Sequence, residues 1–438
     1  MTSASLQGLP FNRASLAAAI LACLLSCTPQ SPTSLDRPNV LLITVDTLRR
    51  DHLEPYGYKR ATSPRLSAFA VDAIVFEDAQ SQAPWTLPSL ASLMTGLETS
   101  AHGCRTFYDA LAPSYETLPE RLFATGYDTG AVASHVFLGR DYGLDQGFVH
   151  FDDELVLEMT RSDEVISSPK VTEKGIAFLE AQAEAQTAGT TDHPFMLWLH
   201  YFDPHADYLR HAEISGKFGT KRPVDLYDGE IAFTDRAIGR VLDTLQASGL
   251  DKNTIVIFTA DHGEEFGDHN GIDHGHTLFA ELLDIPLIIR APGFEPARVE
   301  QMVRSIDVAN TLCELLGIAP LEESQGLSLV PLMKGEDLVV PASLAELERN
   351  AALSSRALVT RESKQLWSPR FEQPVAFNRS TDAREKTPTA LNADSEAELQ
   401  RRLEAATKIA TQHADSWRLA LGAAERDDLS NTGYAGDE

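Results

Sequence analysis

The stretch Ala83-Pro84-Trp85-Thr86-Leu87-Pro88-Ser89-Leu90-Ala91-Ser92-Leu93-Met94-Thr95-Gly96 places a hydroxyl residue two positions before a proline and a short amphipathic run. Proline is favoured in the first turn of a helix, because the amide hydrogen that it lacks would have no partner there. The pattern therefore predicts that a helix begins near Thr86. The unpaired N–H groups and the positive dipole end of a helix start favour an anion or a developing alkoxide. The Thr86 hydroxyl is thus expected where a phosphate or sulfate ester would be attacked.

A buried sheet is predicted around this helix. Residues 40–45 form a continuous apolar run that ends at Asp46, as expected of a strand covered on both faces. Similar runs alternate with helical patterns along the chain; they lie at 129–133, 195–202, 254–259 and 285–289. This alternation predicts an α/β fold with a mostly parallel sheet flanked by helices.

The composition of the chain changes near residues 335–341. Beyond them, two short strand patterns and a charged helical pattern at 396–410 predict a small C-terminal α+β subdomain. The predicted boundaries are 38–340 for the catalytic domain, 341–424 for the subdomain and 425–438 for a flexible tail.

Polar side chains cluster at the ends of three predicted strands. These residues are Asp46, Asp203, His205, Asp261 and His262. In open α/β sheets, ligands bind beyond the carboxyl ends of the strands. We therefore expect these side chains to meet at one edge of the sheet.

The stretch at 83–96 resembles the active-site signature of the sulfatase family, a branch of the alkaline phosphatase superfamily. In that signature a Cys or Ser heads a C-x-P-S-R run and is oxidised to formylglycine. Thr86, Pro88 and Ser89 match the pattern, but Thr cannot become formylglycine and Leu90 stands in the Arg position. A Thr nucleophile is similar to that of superfamily members that act on phosphoryl and phosphonate groups. The resemblance extends over about residues 38–410 and implies an alkaline-phosphatase-like fold.

The resemblance also implies a metal site. Asp46 corresponds to the first ligand, although Thr47 stands where sulfatases usually have a second Asp. Asp261 and His262 match the acid and its neighbour after a later strand, and the ion would lie against Thr86. Calcium prefers six to eight oxygen ligands, so a smaller set with an imidazole favours Zn²⁺ or Mn²⁺, with Mg²⁺ or Ca²⁺ as alternatives.

Two histidine-containing motifs complete the predicted site. Residues 200–208 resemble a family H-x-x-D-P-H-x-P-Y run, which implies that His205 contacts the ester oxygens. Asp203 is expected to bind substrate, hold a second metal or orient His205. His274 or His276, with His276 preferred, is expected to protonate the leaving group or to ligate a second metal.

Two cations that hold sulfate in typical sulfatases are missing. Besides Leu90, Ser134 occupies the Lys position of a family G-K-W-H run, and His135 is out of register by one residue. Arg105 is a candidate replacement, with a surface role as the alternative.

The charge and the N-terminus limit partners and location. The 438 residues carry a formal net charge of −27, which disfavours nucleic acid as a partner. A small molecule or a glycan- or lipid-linked anionic ester remains compatible, because a metal dominates the local field. Residues 1–27 resemble a lipoprotein signal peptide with lipidation at Cys27, followed by a tether at 28–37. This predicts a lipid anchor in the bacterial cell envelope, facing the periplasm or the exterior; an ordinary signal peptide or anchor helix is the alternative.

Three functions follow from these residues. The first is a metal-dependent hydrolase or transferase acting on a phosphate or phosphonate ester through a covalent Thr86 intermediate. The second is a sulfatase that uses unmodified Thr86. The third is a non-catalytic binding protein built on a sulfatase scaffold.

Overall fold

The computed structural model describes residue 1 and residues 37–159, 166–349, 353–392, 394–413 and 417–418. The predicted signal peptide beyond Met1, Cys27, the tether up to residue 36 and the tail at 425–438 lie outside the described residues. Within the described ranges, no helix has both the length and the apolar character needed to cross a membrane.

The strands and helices have the following bounds. The strands are β1 (Asn39–Val45), β2 (Ile74–Gln80), β3 (Asp109–Ala110), β4 (Asp128–Val132), β5 (His150–Asp152), β6 (Phe195–Tyr201), β7 (Thr254–Ala260), β8 (Glu265–Phe266), β9 (Ile272–Asp273), β10 (Asp284–Arg290), β11 (Ala297–Arg304), β12 (Ser343–Glu348), β13 (Ser354–Val359), β14 (Ser363–Trp367), β15 (Val375–Asn378), β16 (Thr389–Ala390) and β17 (Trp417–Arg418). The helices are α1 (Pro64–Ala70), α2 (Thr86–Thr95), α3 (Thr99–His102), α4 (Leu118–Ala124), α5 (Glu154–Met159), α6 (Ser168–Ala188), α7 (Pro223–Ala247), α8 (Ala280–Leu283), α9 (Asp307–Leu315), α10 (Val330–Met333) and α11 (Ser395–Ala410).

An eight-stranded sheet flanked by helices forms the core. Its spatial order is β11-β2-β10-β7-β1-β6-β4-β5. All pairs are parallel except those of β10, which runs antiparallel to β2 and β7. Every residue of β1, β6 and β7 is buried, which explains why their sequences are almost entirely apolar. The predicted α/β fold with a mostly parallel sheet is confirmed.

The register of the central strands positions the functional edge. Val45, at the end of β1, is paired with Tyr201 of β6 on one side and with Ala260 of β7 on the other. Residues that directly follow these strands therefore emerge together at the carboxyl edge of the sheet.

The predicted C-terminal subdomain is also present. Strands β12–β16 form an antiparallel sheet, and Leu399 of α11 packs with Leu344 and Leu358 of that sheet. The first of these strands begins at Ser343, two residues beyond the predicted boundary. The buried Lys364 ammonium lies 2.8 Å from Glu385 Oε1 and donates to the Leu278 carbonyl at 2.9 Å, which ties this sheet to the catalytic domain.

Cys104 and Cys313 are buried free thiols. Burial raises the pKa of Cys313 to about 11, so this thiol is protonated and unreactive at neutral pH. The structure contains no disulfide between Cys104 and Cys313.

Candidate active site

Asp46, Asp261 and His262 meet at the carboxyl edge of β1 and β7. His262 Nε2 lies 3.5 Å from Asp46 Oδ1 and 3.4 Å from Asp261 Oδ2. All three side chains are buried and lie close enough to share one metal ion. The parallel pairing of Val45 with Ala260 brings the two aspartates together, because each directly follows one of these residues.

The polar atoms of this group suit a divalent cation. Both carboxylate oxygens of Asp46, as well as Asp261 Oδ2, are buried without a hydrogen bond to any described residue. His262 Nδ1 donates to the Gly263 carbonyl at 2.9 Å, so in the neutral ring the Nε2 lone pair faces the carboxylates. Burial, and then repulsion from Asp261 and Glu264, raises the pKa of Asp46 well above its usual value. A cation would remove this repulsion, so the donor set fits a metal.

Thr86 is the first residue of α2 and lies beside this group. Its Oγ1 is 3.4 Å from His262 Nε2, and the side chain is buried. The helix is anchored to the neighbouring loop, because Ser81 and Ser89 both donate to the Asp261 carbonyl, at 2.6 and 2.5 Å. The structure thus brings Thr86 together with the three predicted ligands.

His205 and His274 extend the cluster. The ring centroid of His274 lies 4.5 Å from that of His262 and 4.9 Å from that of His205. His205 is stacked on Phe202, and its Nδ1 donates to the Ala206 carbonyl at 2.6 Å. His205 Nε2 is therefore a donor only when the ring is protonated, a form that an adjacent anionic ester favours.

His135 and His200 also face the predicted metal ligands, and the sequence analysis assigned neither of them a role. Their Nε2 atoms lie 3.7 and 3.4 Å from Asp46 Oδ2. His135 Nδ1 accepts the Phe137 N–H at 3.1 Å, so in the neutral ring Nε2 carries the proton and faces the site as a donor. The signal available in the sequence was that His135 follows β4 by three residues, at the same edge.

Four histidines beside the predicted metal ligands have lowered pKa values. Burial lowers the pKa of His200 to about 3, and that of His135, His205 and His274 well below the usual value, and the other histidines of the cluster further disfavour protonation of each ring. Neutral imidazoles are metal ligands and proton carriers rather than fixed cations.

Glu264 is a second residue that the sequence analysis left without a role. Its Oε1 lies 3.1 Å from His274 Nδ1 and its side chain is fully buried. Burial raises the pKa of Glu264 to about 8, so the pair holds an extra proton at neutral pH. Glu264 thereby fixes the orientation of His274.

Three predicted site residues lie elsewhere. His276, the preferred proton donor, is bonded to Glu265 Oε2 at 2.9 Å, whereas His274 packs on His262, so the structure favours His274 instead. Arg105 is paired with Glu348 at 3.0 Å rather than facing the ester site. Asp203 accepts the N–H groups of Ser167 and Ser168 at 3.2 and 2.8 Å, so its carboxylate caps α6.

The residues at the two missing-cation positions are built into the fold. Leu90 is fully buried in the core, and the Ser134 hydroxyl donates to the His200 carbonyl. Thr47, in place of the second Asp, has a left-handed backbone with φ 53° and donates its N–H to Asp261 Oδ1 at 3.2 Å. Thr47 therefore orients the Asp261 carboxylate rather than adding one of its own.

A family model described as Sulfatase matches residues 38–318, well over half of the chain. The chain therefore belongs to the sulfatase family, and it is a hydrolase that acts on ester bonds. Members of this family generally use a divalent metal, in keeping with the Asp46–Asp261–His262 group.

Known relatives and structures agree with this assignment. The uncharacterized sulfatase YidJ of Escherichia coli is 24% identical over 381 residues, 72% of this chain and 75% of its own. The structure of the phosphonate monoester hydrolase of Agrobacterium radiobacter has a TM-score of 0.68 at 20% identity, covering 86% of this chain and 96% of that one. The structure of BT4656 in complex with its substrate D-glucosamine-2-N,6-O-disulfate has a TM-score of 0.69 at 18% identity, covering 86% of this chain and 98% of that one. Both structures share the fold of this chain.

Proposed function

We propose that this protein cleaves a phosphate or phosphonate ester, as a metal-dependent hydrolase or transferase, through a covalent Thr86 intermediate. The observation that carries the proposal is the position of Thr86 Oγ1, 3.4 Å from His262 Nε2 at a helix start beside two buried aspartates. Thr cannot form the formylglycine expected of a sulfatase. A protein named as a phosphonate monoester hydrolase has a similar fold, so this scaffold accommodates phosphorus esters.

Asp46, Asp261 and His262 would hold the metal. Their two carboxylates and one imidazole favour Zn²⁺ or Mn²⁺ over Mg²⁺ or Ca²⁺. When bound, such an ion would lower the pKa of an adjacent hydroxyl and offset negative charge on ester oxygens.

The protein's own residues account for the group transfer. The ionised Thr86 oxygen, having released its proton to solvent, attacks phosphorus in line, and the bond from phosphorus to the leaving oxygen breaks. The leaving oxygen keeps the electron pair and takes a proton from the Glu264–His274 pair. His135 and protonated His205 donate to the non-bridging oxygens. Water or an acceptor alcohol then attacks phospho-Thr86, returns a proton to the same pair and frees the Thr86 oxygen.

Parallel assays test the proposal. The full chain, purified in detergent and supplied in turn with Zn²⁺, Mn²⁺, Mg²⁺ or Ca²⁺, is given p-nitrophenyl esters of phosphate, methyl phosphate, phenylphosphonate and sulfate. We expect kcat/KM for the best phosphorus ester to exceed that for the sulfate at least about 100-fold, a gap of about 2.7 kcal/mol in transition-state binding. Faster sulfate cleavage would support a sulfatase with unmodified Thr86, and an inert protein that binds no metal would support a binding role.

His274 is expected to matter more than His276. Replacing His274 by alanine removes the proton donor and should lower kcat about 10²- to 10⁴-fold on an alkyl ester, whose leaving oxygen needs a proton. The loss should be smaller on a p-nitrophenyl ester, whose leaving group departs without one. His276→Ala serves as the matched comparison, and an equal or larger loss in that variant would reverse the assignment.

We also propose that the protein is anchored to the cell envelope through lipidated Cys27. The support is the order of a short apolar run, Ser26 and Cys27, followed by a Pro-, Ser- and Thr-rich stretch. We expect Cys27→Ala to move most of the protein out of the detergent phase in a Triton X-114 partition of whole cells. Unchanged partition would argue for an anchor helix or another membrane attachment.

A further inference from the structure

Arg349 follows the first strand of the C-terminal sheet and reaches the catalytic domain. Its guanidinium carbon lies 4.2 Å above the ring of Phe107, and its Nη1 donates to the Gly275 carbonyl at 3.2 Å. Phe107 is itself stacked on Phe137 and meets the ring of Trp85 edge-on at 5.1 Å between centroids. This aromatic support limits the motion of the guanidinium.

The turn that Arg349 contacts belongs to the active site. Gly275 follows His274, and its N–H donates to the Pro84 carbonyl at 2.9 Å, two residues before Thr86. Gly275 has φ 72°, and a Cβ at this position would lie 3.0 Å from Arg349 Nη1 and 3.5 Å from Trp85 Cβ. A glycine is therefore needed here, and it brings Arg349 next to the segments that carry the nucleophile and the proton donor.

The site needs a fixed positive charge in this place. The buried carboxyl groups of Asp46 and Asp261 lie 3.5 and 3.4 Å from His262 Nε2, and an imidazole such as that of His205 is a cation only when it is protonated. The family's two usual cation positions hold Leu90 and Ser134. A guanidinium stays charged at neutral pH, so it attracts an anionic ester whether or not His205 is protonated.

We infer that Arg349 binds the non-bridging oxygens of the ester, so that the C-terminal sheet completes the substrate site of the catalytic domain. This inference rests on the proposed function. A planar guanidinium donates in a fork that matches two oxygens of a phosphoryl group, which a compact ammonium does not. A phosphate monoester carries two negative charges and a diester or phosphonate monoester carries one, so Arg349 should favour the monoester.

Anion binding and turnover are both measured in Arg349→Met. Titration calorimetry with inorganic phosphate uses the metal-loaded full chain carrying Thr86→Ala, which removes turnover from the comparison. We expect Arg349→Met in this background to weaken phosphate binding about 10- to 100-fold, and Arg349→Lys to recover part of the loss. With Thr86 intact, the ratio of kcat/KM for p-nitrophenyl phosphate to that for methyl p-nitrophenyl phosphate should fall about tenfold in Arg349→Met. The control is Arg361→Met, because Arg361 is a surface arginine of the same subdomain as Arg349 and is paired with Glu300 of β11.

Rescue separates a binding role from a packing role. Free guanidinium at millimolar concentration should partly restore the activity of Arg349→Gly but not that of Thr86→Ala.

The inference would be overturned if Arg349→Met left both the phosphate affinity and the ratio of kcat/KM for the two esters unchanged. That result would leave the proposed function intact. A wild-type chain that cleaves only sulfate esters would instead refute the proposed function, and inorganic sulfate would then replace phosphate in the same titration. If Arg349→Met lowers the thermal midpoint more than Arg361→Met, the Lys variant decides: full phosphate affinity with lysine refutes recognition by the guanidinium fork.

Discussion

Replacing Thr86 by alanine is expected to abolish turnover and to leave the metal site intact. The substitution removes the oxygen that would form the covalent bond, and the loss of a nucleophile typically costs about 10⁴-fold or more in kcat. Thr86 contributes only one oxygen beside the group formed by Asp46, Asp261 and His262, so metal content should remain stoichiometric. Initial rates on the best ester, together with metal analysis of the purified variant, check both expectations.

Thr86→Ser is the matched control because it keeps the hydroxyl group. We expect this variant to retain measurable activity, lowered by the extra rotamer freedom of serine. Quenched reactions of the wild-type chain with a phenylphosphonate ester should also show a Thr86 peptide whose mass has increased by the phenylphosphonyl group. Undiminished turnover in Thr86→Ala, or modification of a different residue, would contradict the role assigned to Thr86.

Replacing Asp261 by asparagine is expected to remove the bound metal while preserving the fold. Asp261 Oδ1 accepts the N–H groups of Thr47 and His262 at 3.2 and 2.8 Å, and an asparagine oxygen accepts them equally well. Oδ2 has no hydrogen bond to a described residue and faces His262 Nε2, so an NH₂ group there opposes a cation directly. We expect metal affinity to fall at least about 100-fold and turnover to fall with it.

Thermal unfolding distinguishes metal loss from misfolding. A metal at 100 times its Kd stabilises the native state by about 2.7 kcal/mol, and this increment should vanish in Asp261→Asn. In chelator, the variant should be at least as stable as the wild type, because one of two mutually repelling buried carboxylates has been neutralised. Glu180→Gln, an exposed change on α6, is the control. Retained metal and activity in Asp261→Asn would exclude Asp261 as a ligand.

The sequence could predict those features of the site that are determined by residues adjacent in the chain. Continuous apolar runs identify buried parallel strands, and parallel strands end at one edge, so Asp46, Asp261 and His262 were expected at the same edge. The pairing of β1 with β7 in the structure makes them neighbours there. Pro88 similarly marks the helix start at Thr86. The apolar pattern also indicated the α/β class and the separate sheet after residue 340.

The remaining contacts depend on how distant segments pack, and local sequence does not encode that. His274 and His276 lie on either side of the left-handed Gly275, and in the fold His274 packs on His262 while His276 bonds Glu265. Asp203 follows a strand as Asp46 does, yet the start of α6 lies against it and takes its carboxylate. Likewise, Arg349 is more than 200 residues from Thr86 in the chain, and only the docking of the C-terminal sheet brings it to the site. Backbone sterics and hydrophobic period act over a few residues and so determine the elements, whereas the side chains that face a cavity are decided by packing across the whole chain.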